Sequence, residues 1–109
     1  MKLIIAIVHE RDRQTVCETL LQDGQQFTVI ATTGGFLRDG NTTLLIGADD
    51  DKVDGIITLL KGNCSTREQY VTQPPIDMIG AGGMVMGAVK VSVGGAIIFV
   101  VDVERFERV

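Results

Sequence analysis

The sequence predicts an α+β domain: one four-stranded antiparallel sheet, two helices on one of its faces, and a hairpin added near the C-terminus. Three observations predict it. KLIIAIV followed by DRQTVCETLLQD, and TTLLIGA followed by DDDKVDGIITLLKG, are strand–helix units that weakly echo one another. A further β-type run follows each helix, FTVIATT after the first and EQYVTQ after the second. AVKVSV and AIIFVVDV flank Gly94-Gly95, the pattern of a glycine-turned hairpin.

Residues 2–8 are almost unbroken aliphatic residues, which predicts a central strand buried on both faces. Residues 12–23 predict a helix with Asp12 as N-cap and Gly24 in the left-handed position after its last turn. Val16 and Leu20, with Cys17 and Leu21, form its apolar stripe. Residues 27–33 and 42–48 predict two strands. Asp49 or Asp50 can cap the second helix, where acidic side chains suit the positive end of the helix dipole. Val53, Ile56, Ile57 and Leu60 fall at i, i+3, i+4 and i+7, and Gly62 is the expected stop. EQYVTQ, residues 68–73, predicts a short strand. Residues 74–87 hold both prolines and four glycines of the chain, the composition of a loop. Residues 88–93 alternate as a strand, and FERV is a short tail. This order is the split βαβ, or ferredoxin-like βαββαβ, arrangement. LIIAIV and AIIFVV are apolar on both faces, whereas the helices cover only one. The other face calls for a partner, which a symmetric oligomer supplies.

Composition narrows the function. The 109 residues suffice for one domain, residues 1–109, and 45% apolar content fits a folded one. A net charge of −4 supplies no field to attract a nucleic acid polymer or an anionic membrane. The apolar run from Leu3 to Val8 is too short for a signal peptide, and no stretch approaches the ~18 apolar residues of a membrane span. A cytoplasmic protein with reduced thiols at Cys17 and Cys64 is expected. A structural zinc needs about four ligands. One histidine and two separated cysteines do not offer them, so no metal is expected.

No catalytic constellation emerges. His9 ends the first strand beside Glu10, with no nucleophile and orienting acid near it in sequence, and it reads as a surface histidine. GAGGMVMG, residues 80–87, fails the GxGxxG pattern because Val85 stands at the third glycine, and no Gly-Lys-Ser/Thr occurs. Met84 and Met86 among glycines suggest instead an adaptable apolar lid. A binder is favoured over an enzyme.

The stretch ATTGGFLRDGNTTLLIG, residues 31–47, is richer than a hairpin turn requires. Thr32, Thr33, Gly34 and Gly35 offer hydroxyls and open backbone N–H groups for phosphate oxygens. Phe36 can pack on a flat base, and Arg38 can reach a phosphate. Asn41 presents a donor and an acceptor that match the edge of adenine. Together they describe a nucleotide-recognising loop; a long hairpin with a solvated tip is the plainer alternative.

At these residues the sequence resembles the cyclic-di-AMP receptors of the PII-like superfamily, the PstA/DarA type. MKLIIAIV, ATTGGFLRDGNTT, GADDDKVD, REQ at 67–69 and VGGAIIFV at 93–100 carry the resemblance, which runs from residue 1 to about 106. It implies a ferredoxin-like homotrimer without catalysis that takes one cyclic-di-AMP in each cleft between subunits. The ligand is bound as a signal, not held as a cofactor. It also implies a short T-loop at about 33–41 and a long B-loop at about 67–90. Ligand binding reorders these loops and changes what an unknown downstream protein meets. By position, Thr28 meets a phosphate; Gly35, Phe36 and Leu37 line one base; Asn41 bonds an adenine; Gly47 lets backbone groups come close; Phe99 packs on the other base. The family carries an asparagine and an arginine just before the second strand, where this chain has Gly24 and Gln26. The arginine pairs with a phosphate, and losing such a charge-assisted bond weakens affinity by about tenfold to a hundredfold. Arg108 replaces a polar amide near the tail and is a candidate cation. Two further functions stand beside the first: a PII-like module for a different nucleotide or an anion, and a ligand-free interaction protein that docks a partner through residues 74–87.

Overall fold

In a computed structural model of the chain, residues 1–32, 40–72 and 88–109 are described. The alternation of apolar residues folds as strands β1 (Lys2–His9), β2 (Phe27–Thr32), β3 (Asn41–Ala48), β4 (Arg67–Thr72), β5 (Ala88–Val93) and β6 (Ala96–Asp102). Helices α1 (Arg13–Gln22) and α2 (Val53–Cys64) follow β1 and β3, each entered through a 3-10 turn. The main sheet is antiparallel with strand order β2-β3-β1-β6. This four-stranded sheet with two helices is compatible with the ferredoxin-like expectation.

The core lies between sheet and helices. Ile4, Ala6 and Val8 of β1 and Leu44 and Ile46 of β3 are fully buried, and Val16, Leu20, Ile56 and Leu60 of the helices close over them. Because side chains alternate across a strand, the other face of β1 presents Leu3, Ile5 and Ile7. These are only half-buried, so β1 is central in the sheet but not buried on both faces as its sequence suggested. On that helix-free face Ile30, Phe99 and Val101 are exposed.

The helix ends show which local rules hold. Gly24, at φ +79°, ends α1 as expected: its N–H donates to Leu21 O, and the N–H of Gln25 donates to Leu20 O, both at 3.0 Å. Asp12 stands at the N-cap position without a side-chain cap bond. Leu21 does not join the stripe; it is 65% exposed. The acidic run before α2 also makes no side-chain cap. Asp50 instead lies 2.9 Å from the Met1 amine, which holds its carboxyl below the ordinary range. Gly62 does not stop α2. The helix continues to Cys64 because side chains serve its last carbonyls: Asn63 Nδ2 donates to Leu59 O at 2.8 Å and Ser65 Oγ to Lys61 O at 2.5 Å.

The expected C-terminal hairpin is not formed. β5 pairs with β4 in a separate two-stranded sheet, and β6 pairs with β1 along the edge of the main sheet. Gly94 and Gly95, at φ +87° and +89°, carry the chain from one sheet to the other. The Gly95 N–H donates to Cys64 O at the end of α2. The edge of β1 left free by β3 offers seven paired positions, Lys2 to Val8, and that long ladder takes β6. The added hairpin is therefore an insertion between α2 and the last sheet strand. The loop expected at 74–87 lies outside the described residues.

Candidate ligand-binding site

The helix-free face is organised in cross-strand rows, since directly opposed residues of an antiparallel pair point the same way. Thr28 of β2 faces Leu45 of β3, Leu45 faces Ile5 of β1, and Ile5 faces Phe99 of β6. Thr28 and Phe99, both exposed, thus occupy opposite edges of one row. Gly47 lies two residues beyond Leu45 on the same face, opposite Leu3.

At the β2 edge Thr28, Leu45 and Gly47 line an open cleft of about 250 Å³ with Met1, Gln26, Phe27 and Phe106. Three of the expected site residues, Gln26, Thr28 and Gly47, meet here. Gly47 keeps the floor open: a Cβ on it would stand 3.1 Å from Met1 Cε. Among the described residues the lining carries no charged side chain. Phe106, 64% exposed, reaches the cleft from the tail. The Val103 N–H, donating to Met1 O at 3.2 Å, starts the tail in that direction. Sequence reasoning passed over Phe106; an exposed aromatic in a charged tail was the available signal. Arg108 is exposed, two residues beyond it.

Asn41 and Phe99 lie elsewhere. Asn41 opens β3, six residues before Gly47 and so roughly 20 Å from it along the strand. It faces Thr32 of β2 and His9 of β1, where three strand ends meet. Its side chain is 5% exposed, and its Oδ1 has no hydrogen-bond partner among the described residues. A buried carboxamide oxygen left without a donor costs stability unless something supplies one. His9 is buried too, at 9% exposure, which corrects the expectation of a surface histidine. Phe99 is 43% exposed at the opposite sheet edge. Gly35, Phe36, Leu37 and Arg38 lie outside the described residues. Of the expected site residues that are described, Gln26, Thr28 and Gly47 meet at the cleft, whereas Asn41 and Phe99 lie away from it at separate places and Arg108 lies exposed on the tail.

Glu10 secures the entry to β3. Its Oε2 accepts from Thr42 Oγ1 at 2.6 Å, its Oε1 from Arg13 Nη1 at 3.3 Å, and its N–H donates to Gly40 O at 3.2 Å. The Thr42 hydroxyl, and then Arg13, hold this carboxyl below its ordinary range.

Other chemistry finds little support among the described residues. No three His, Cys, Asp or Glu side chains gather as a metal site there. Cys17 and Cys64 form no disulfide among the described residues, and burial, against Arg13, pushes the Cys17 thiol above its ordinary value. That keeps it protonated and a poor nucleophile. Among the described residues no helix is long and apolar enough to cross a membrane.

A family model described as "Cyclic-di-AMP receptor" matches residues 1–109, the whole chain. Among solved structures, a functionally unknown protein from Pediococcus pentosaceus ATCC 25745 superposes with a TM-score of 0.78 at 34% identity, covering 99% of this chain and 96% of that one.

Proposed function

The chain belongs to the cyclic-di-AMP receptor family, and we propose that it binds cyclic-di-AMP at seams between copies of a symmetric oligomer, a homotrimer in the cytoplasm. Binding changes the surface that a downstream protein meets, with no covalent chemistry. One arrangement supports this most. Gln26, Thr28 and Gly47 line a cleft at the β2 edge, whereas Phe99 sits at the β6 edge of the same face, three strand spacings away. At about 4.8 Å per spacing that separation is roughly 14 Å. A base stacked on Phe99 and a phosphate held by Thr28 are brought together compactly when two copies meet, one offering its β2 edge and the other its β6 edge. The half-exposed aliphatic face between those edges is the kind of surface that association buries. Asn41, with a buried oxygen that has no hydrogen-bond partner among the described residues, is suited to accept from the amino group of adenine.

Calorimetry with purified protein tests the ligand, and sedimentation tests the assembly. Binding of cyclic-di-AMP by a trimer is the expected result. Absence of heat and of any melting shift at high micromolar ligand defeats it, as does a solitary chain in sedimentation.

A second reading, a different nucleotide or an anion at the same seam, is favoured by one observation. Gln26 stands where the family has its phosphate-pairing arginine, and among the described residues no charged side chain lines the cleft. A competition panel separates the two: displacement of cyclic-di-AMP by a mononucleotide or inorganic phosphate at equal concentration supports the second.

A further inference from the structure

We propose that Glu10 is a positioning residue for Asn41: it grips the chain on both sides of Asn41, through Gly40 and Thr42, and so fixes where the carboxamide points. The inference rests on Asn41 being the adenine-reading residue of the function proposed above.

Three contacts converge on this one residue. The Glu10 N–H donates to the carbonyl of Gly40, the residue before Asn41. The Glu10 carboxylate accepts from the hydroxyl of Thr42, the residue after it, at 2.6 Å, a charge-assisted length. Arg13, one turn further along, holds the other carboxylate oxygen. Side chains alternate across β3, so Thr42 points to the helices and is fully buried, while Asn41 points to the opposite face. A fully buried hydroxyl needs a partner, and Glu10 supplies it from a half-exposed position that leaves the charge in contact with water. Gly40 adopts φ +83°, a left-handed conformation in which side-chain-bearing residues are strained. The chain thus enters β3 through a bend that needs its own tether, and the Glu10 N–H is that tether. With the residues before and after Asn41 both anchored to Glu10, the backbone of Asn41 has no slack. A carboxamide that must meet an adenine edge with a donor and an acceptor at once loses the pairing if its backbone swings by a fraction of an ångström. Sequence reading named Glu10 only as the neighbour of His9, because its partners lie 30 and 32 positions away.

Two measurements test it together. In ligand-free protein, Glu10→Ala is expected to speed amide hydrogen exchange at residues 40–42 at least tenfold, and Glu10→Gln, whose amide oxygen can still accept from Thr42, to speed it much less. With cyclic-di-AMP, Glu10→Ala is expected to weaken binding by about tenfold, the worth of one well-placed hydrogen bond. The same change in an Asn41→Ala background is expected to add almost nothing, the non-additivity of two residues acting as one unit. Exchange unchanged in Glu10→Ala overturns the proposal, as does a binding loss that is equally large with Asn41 already removed. Wild-type protein that binds no cyclic-di-AMP overturns the proposed function instead, and the Asn41 role with it. The exchange measurement still decides whether Glu10 holds residues 40–42. Circular dichroism of each variant confirms that it folds; if Glu10→Ala does not, Thr42→Val, which removes the same hydrogen bond from its donor side, takes its place, and exchange at residues 40–42 unchanged in that variant overturns the proposal.

Discussion

Thr28 and Phe99 stand on one cross-strand row of the sheet, at its two opposite edges, with Leu45 and Ile5 between them. Both are expected to touch ligand, and the row separates them by roughly 14 Å. Complementation follows from this spacing. Thr28→Val and Phe99→Ala are each expected to weaken cyclic-di-AMP binding by about tenfold or more, through a lost hydrogen bond and a lost stacking surface respectively. Mixed and reassembled, chains of the two variants are expected to regain high-affinity sites at about a quarter of their seams, because random assortment brings an intact β2 edge to an intact β6 edge that often. Calorimetric stoichiometry of the mixture checks this. No recovery would place Thr28 and Phe99 in the same half-site.

Asn41→Ala separates binding from folding. The side chain is buried, but its Oδ1 makes no bond among the described residues, so removal leaves no partner stranded by that atom. The variant is expected to melt within a few degrees of wild type while losing about tenfold or more in affinity. A large fall in melting temperature with unchanged affinity would make Asn41 a structural residue.

The two leucines of α1 differ by position. Leu20 is fully buried and Leu21 is 65% exposed. Leu20→Ala is expected to cost about 2–5 kcal/mol, as cavity-forming changes do. Leu21→Ala should fall within about 0.5 kcal/mol. Urea titration of the two variants measures both, and equal costs would mean that Leu21 is covered in the assembled protein.

Gly95→Ala tests the crossing between the sheets. At φ +89° an L-residue is strained, and a Cβ there would meet Thr66 Oγ1 at 2.8 Å. The strain amounts to about 1–2 kcal/mol before any clash is counted. Denaturant unfolding should show at least that loss. A neutral outcome would mean that the passage from β5 to β6 tolerates a different path.

Acid should release Glu10. Its carboxyl is held below the ordinary range by the Thr42 hydroxyl on β3 and then by Arg13 on α1, the groups that face it; His9 precedes it on β1. A carboxyl with a depressed folded pKa contributes stability above its unfolded pKa and loses it as pH falls through the folded value. The melting-temperature gap between wild type and Glu10→Gln is therefore expected to be widest near neutral pH and to close below about pH 4. A gap constant down to acid pH would mean that the charge of Glu10 contributes nothing.

Much of the architecture could be read from local pattern. The alternating and near-continuous apolar runs located β1, β2 and β3, and the i, i+3, i+4 spacing located the buried stripe of α2, because burial on one face imposes those periods. Gly24 announced the end of α1 because only its conformational freedom suits that position. Gly62 misled by the same logic, since Asn63 and Ser65 cap the helix beyond it with contacts that composition does not display.

What lay beyond the sequence was pairing at a distance. Gly94-Gly95 looks the same whether it turns a hairpin or passes a chain between two sheets. The choice went to the ladder available on the free edge of β1, a competition between edges far apart in the chain. The cleft obeys the same rule. Thr28 and Gly47 were expected at a site, but Phe106 joins them only because the tail returns past Met1. Residue types and local periods follow from short-range sterics and burial, whereas which strand edge, which tail and which carboxylate meet is settled by long-range contacts whose partners no local window contains.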